Sequence, residues 1–72
     1  MQEYFPGTLK DFDPILRYLE PNPNLPEHLL NISVQFAELA VYVVKAIERN
    51  PERTVALRKI LEAKDCAVRA AL

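Results

Sequence analysis

The chain has 72 residues, a formal net charge of −1 and 50% hydrophobic residues. It is therefore a single domain, and it lacks the strongly basic balance of a duplex nucleic-acid binder. Cys66 is the only cysteine and His28 the only histidine, which excludes an internal disulfide and the four ligands of a structural metal. A core this small rarely supplies more than about 3–5 kcal/mol without a staple, so self-association is the staple that remains.

The N-terminal residues Met1 to Pro6 lack the basic and apolar regions of a signal peptide, and no run approaches the roughly 18 consecutive apolar residues of a membrane span. The expectation is a cytosolic protein with no membrane contact. Residues 1–25 read as an N-terminal arm. In it, Pro6-Gly7 closes a turn, and Asp13-Pro14 reads as an N-cap followed by the first residue of a short helix over about 14–19. Phe12, Ile15, Leu16 and Leu19 supply that helix with an apolar side, and Pro21-Asn22-Pro23-Asn24 is extended.

A long helix is predicted over 26–49. It opens at Pro26 with a poor cap, because Leu25 precedes the proline. Within it, Leu39-Ala40-Val41-Tyr42-Val43-Val44 has the composition of a buried strand. Helix is still the reading, because a polar stripe of Asn31, Gln35, Glu38, Lys45 and Arg49 runs through the segment at helical spacing. Leu29, Ile32, Phe36, Ala40, Val43 and Ile47 form one apolar flank, and Leu30, Val34, Ala37, Val41 and Val44 the other.

Asn50-Pro51 is a second cap-plus-proline pair and starts a helix over 51–72. Ala56, Ile60, Ala63, Ala67 and Ala70 lie on one side of it, Leu57, Leu61, Val68 and Leu72 on the adjoining one, and Thr54, Arg58, Glu62, Asp65 and Arg69 face water. The minimal linker at Arg49-Asn50 implies an antiparallel hairpin. Two apolar flanks per helix exceed what one hairpin can bury. The predicted fold is thus all-α, a short N-terminal helix plus an antiparallel two-helix hairpin in one domain of residues 1–72. Hairpins pack against hairpins in a homo-oligomer, with the alanines of the last helix allowing close approach.

No nucleophile–base pair, glycine-rich loop or metal-ligand spacing is present, so the chain is read as non-enzymatic, without cofactor or metal. Glu62 and Asp65 each have a cation four residues away, Arg58 and Arg69, and read as a solvated ion-pair ladder. His28 reads as exposed and Cys66 as a buried small hydrophobe. Two cation-bearing places have no evident core role. Arg17-Tyr18 combines a guanidinium with a ring that could stack on a base. At the hairpin turn Arg49, Glu52, Arg53, Arg58 and Lys59 gather near a helix N-terminus, which favours an anion. Surface solubility for the cations and packing for Tyr18 is the plainer alternative.

Glu38-Leu39-Ala40 and Glu52-Arg53-Thr54-Val55-Ala56-Leu57-Arg58-Lys59-Ile60-Leu61-Glu62-Ala63, with Ala67 and Ala70 beyond, resemble the helical hairpin of phage-encoded anti-CBASS and anti-Thoeris sponge proteins. Leu16-Arg17-Tyr18-Leu19-Glu20-Pro21 resembles the family's opening motif in the same register, so the likeness covers about residues 16–72. It implies a compact helical oligomer, commonly a hexamer, in the host bacterial cytoplasm. Such proteins sequester cyclic dinucleotides and trinucleotides of bacterial defence without cleaving them. By that resemblance Tyr18 stacks on a base and Arg17 and Arg53 contact phosphates, with Arg58 a further candidate cation. Ser33 stands where the family usually has Arg or Lys, and Pro51 where it usually has an arginine. The alternative function is a structural or adaptor helical oligomer with no small ligand.

Overall fold

The computed structural model describes residues 13–72, and these are all-helical. Helix α1 spans Leu16–Leu19, α2 spans Glu27–Ala46 and α3 spans Pro51–Ala70. The expectations placed on Pro6, Gly7 and Phe12 lie outside the described residues. Both long helices run 20 residues and stop short of the predicted limits. The connection consequently comprises residues 47–50. The helices are antiparallel: Arg53 at the start of α3 reaches Ile47 at the end of α2, while Ser33 in the first half of α2 shares a cleft with Lys64 and Val68 of α3.

The start of α3 follows from its sequence. Asn50 is extended (φ −159°, ψ 167°), and its side-chain oxygen accepts from the Arg53 amide at 2.9 Å. Pro51 occupies the first helical position, where its missing amide costs nothing. Helix α2 has no side-chain cap, as the Leu25-Pro26 start predicted, and the Pro26 carbonyl accepts from the Leu29 and Leu30 amides instead.

Asp13 departs from its expected role. The segment Asp13 to Ile15 is a turn of three-residue hydrogen bonds, with the Leu16 amide on the Asp13 carbonyl at 3.0 Å, and no side chain caps α1. The Asp13 carboxylate instead accepts two bonds from Arg53 Nη2, at 2.6 and 2.7 Å. Four residues cannot hold a helix alone. Leu16 and Leu19, both fully buried, and the Asp13–Arg53 pair attach α1 to the hairpin.

Leu16, Leu19, Ala37, Ala40 and Leu57 form the centre of the core, with Ile15, Val41, Val43, Val44, Ile60 and Leu61 around them. The buried line of α2 is Leu29, Ser33, Ala37 and Ala40. It runs between the two predicted apolar flanks and takes members from both. The small residues that meet the core of the single chain thus belong to α2, while Ala63 and Ala70 of α3, whose expected role is close approach between hairpins, are exposed on it. Cys66 is also exposed rather than buried. The predicted i,i+4 ladder is replaced by Lys59–Glu62 at 3.6 Å and Lys64–Asp65 at 3.0 Å.

An 18-residue window of α2 has a mean hydropathy of 1.4, long and apolar enough by length and composition to cross a membrane. No unbroken apolar run revealed this, because Asn31, Ser33, Gln35 and Glu38 interrupt it. A core helix has the same property; α2 supplies Ala37 and Ala40 to the buried centre, and 22% of that window is buried.

Leu57 is 1% exposed and is the member of the buried core cluster that α3 contributes. Leu57→Ala is expected to cost about 2–5 kcal/mol, read as a fall in the urea midpoint followed by circular dichroism. An exposed apolar control, Val55→Ala, should leave that midpoint nearly unchanged.

Candidate ligand site

The expected site residues do not converge on one point. Tyr18 stands on α1 with 68% of its surface exposed, as a stacking ring requires, and Arg17 beside it is exposed as well. Arg58 is exposed on α3, on the same stripe as Glu62 and Asp65. Ser33 lies on the buried line of α2, 2% exposed.

Arg53, expected to face a phosphate, is turned inward and is 5% exposed. One end of its guanidinium grips Asp13, and Nη1 donates to the Ile47 carbonyl at 2.9 Å and makes a longer 3.5 Å bond to the Val44 carbonyl. These are carbonyls at the C-terminus of α2, which lack helical partners and carry partial negative charge. A cation three residues into α3, after a four-residue turn, is well placed to satisfy them. Arg53 thereby closes the end of α2, the start of α3 and the arm around one guanidinium. Its Nε is the buried side-chain polar atom left without a partner among the described residues.

A cleft of about 280 Å³ opens at the other end of the hairpin. Glu20, Asn22 and Leu25 from the segment after α1 form one wall, Ser33 of α2 the floor, and Lys64, Asp65, Val68 and Arg69 of α3 the opposite wall. Lys64 Nζ donates to the Tyr18 carbonyl at 3.1 Å, so the cleft borders the residue carrying the exposed ring. Two cations and two carboxylates line it, together with the apolar surfaces of Leu25 and Val68. Such a lining can hydrogen-bond to both donors and acceptors while covering a flat apolar group.

Of the residues lining this cleft, only Ser33 is a site candidate on sequence alone. A signal for Lys64 was present: it falls on the core-facing line of α3, among Leu57, Leu61 and Val68, where a charge requires a partner. Glu20, Asn22 and Leu25 carried no comparable signal, because an irregular segment has no periodicity to assign its side chains.

No groups of three or more His, Cys, Asp or Glu residues with metal-binding placement occur among the described residues. No family model, no curated protein and no solved structure matches the chain. What fold and site define is therefore a class, a small all-helical domain with a mixed-charge cleft beside an exposed tyrosine.

Proposed function

We infer that the chain is a non-enzymatic phage sponge that binds and sequesters cyclic dinucleotides or trinucleotides of bacterial CBASS-type immunity, in the host cytoplasm. One observation carries this reading beyond the sequence resemblance: the exposed Tyr18 is joined through its own carbonyl to Lys64, which lines the cleft. A stacking ring next to a held cation is the minimal equipment for a nucleotide. Arg17 adds charge on the same short helix, Ser33 supplies a hydroxyl at the cleft, and Arg58 lies farther along α3.

The cleft supports binding between subunits. At about 280 Å³ it falls below the roughly 300–1,000 Å³ of sites that enclose a drug-sized ligand. A cyclic dinucleotide would overhang it and needs a second wall. Leu39, Tyr42 and Ile47, between 43% and 68% exposed, are apolar surface from which a second copy could build that wall, and a hexamer is the assembly proposed. The same exposed residues favour a second reading, a structural or adaptor oligomer that takes no small ligand.

Native mass spectrometry of the intact protein, with and without a mixture of cyclic di- and trinucleotides, separates the two. The sponge reading predicts an oligomer that gains the mass of whole cyclic nucleotides. An oligomer whose mass is unchanged by the mixture rejects that reading in favour of the adaptor.

A further inference from the structure

Lys59 and Lys64 both belong to α3 and differ sharply in setting. The Lys59 side chain is 70% exposed, whereas that of Lys64 is 17% exposed. The ammonium of Lys64 donates to the Tyr18 carbonyl at 3.1 Å and forms an ion pair with Asp65 Oδ1 at 3.0 Å. An ammonium has three N–H donors. One is bound to the Tyr18 carbonyl, the Asp65 carboxylate lies at ion-pair distance, and the group borders the cleft. Arg69 lines the same wall, and its Nη2 donates to Cys66 Sγ at 3.5 Å. Sulfur is a weak acceptor, so this guanidinium has donors to give to a stronger one.

Placement also gives Lys64 a second consequence. Helix α1 is four residues long and is tied to α3 by polar bonds at both ends, Asp13 to Arg53 and the Tyr18 carbonyl to Lys64. The clamp at Asp13 is distant from the cleft. The clamp at Tyr18 belongs to it.

The geometry points to Lys64 as the oxyanion-binding residue of the cleft and as the link between ligand and arm. An N–H not used by the Tyr18 carbonyl takes a phosphate oxygen, Arg69 adds a second contact, and the bond to the Tyr18 carbonyl fixes the helix that presents the ring. A cation already held by protein acceptors loses little further freedom on binding, which favours it over a mobile surface lysine. Asp65 holds the ammonium in place but repels an incoming phosphate. Removing its charge while keeping its shape should therefore strengthen binding. The identity of the ligand as a cyclic dinucleotide rests on the reading proposed above; the oxyanion contact and the tie to the arm do not.

The test titrates the full chain with cyclic GMP–AMP and with GMP, and follows amide hydrogen exchange at Arg17 and Tyr18. Lys64→Met should weaken both phosphate-bearing probes at least tenfold and speed exchange at Arg17 and Tyr18 severalfold, with α2 and α3 amides unchanged. Lys59→Met should change neither quantity, and Asp65→Asn should tighten binding a fewfold. Unchanged affinity in Lys64→Met overturns the oxyanion contact, and unchanged arm exchange overturns the link to Tyr18. A wild-type chain that binds GMP but not cyclic GMP–AMP, with GMP lost in Lys64→Met, upholds the Lys64 contact while removing the support for a cyclic-dinucleotide sponge. Binding of neither probe overturns both.

Discussion

Arg53→Met is expected to unfold most of the protein at room temperature, although the residue touches neither the cleft nor Tyr18. The substitution leaves Asp13, 5% exposed, as a buried carboxylate without its cation, and breaking one side of such a pair costs about 3–5 kcal/mol. That equals the whole stability a core of this size usually provides. It also removes the donor to the Ile47 carbonyl. The double variant Asp13→Leu with Arg53→Met tests the mechanism, because it removes the stranded charge while leaving the carbonyl unpaired. Stability should return in large part but stay below wild type by about 1–3 kcal/mol, the cost of one unsatisfied buried group. Urea unfolding followed by circular dichroism gives the order wild type, double variant, single variant. A single variant as stable as wild type would show that the pair contributes no net stability.

Tyr18→Ala should have the opposite profile, with a large loss of ligand and almost none of fold. Its ring is 68% exposed, and the bond that holds its helix to Lys64 uses the main-chain carbonyl, which alanine keeps. Stacking of a base on an aromatic ring is worth about 1–3 kcal/mol, so affinity for a cyclic dinucleotide should fall roughly 5- to 150-fold while the thermal midpoint is retained. Tyr18→Phe, which preserves the stacking face, should bind close to wild type. An alanine variant that binds equally well would remove Tyr18 from the site.

The contrast between these two residues explains how much was legible in the sequence. Features set by neighbours in the chain were readable: Asn50-Pro51 as a cap and first turn, the poor start at Pro26, and helix rather than strand across Leu39 to Val44. The exposure of Tyr18 also agrees with a ring kept out of the core. Asp13-Pro14 and Arg53 show where local reasoning stops. Each fits a local motif, a cap and a basic helix start, but the two side chains meet across 40 positions of sequence. No local pattern encodes that meeting. The cleft was hidden for a related reason, since three of its residues come from the irregular segment after α1. Lys64 was the exception, a charge on an apolar line whose meaning depended on knowing that Tyr18 would offer a carbonyl there.

Leu39 and Tyr42 on α2 are 48% and 68% exposed, and the proposed reading gives that apolar surface to a second copy that completes the cleft. Affinity and assembly should then be linked, because a ligand that bridges two copies stabilises their contact.

Calorimetric titration of the intact protein with a panel of cyclic di- and trinucleotides tests the central claim most directly. The account predicts sub-micromolar binding of at least one of them, with the compound recovered unaltered afterwards. No sub-micromolar binding across the panel, or recovery of a cleaved product, would contradict it.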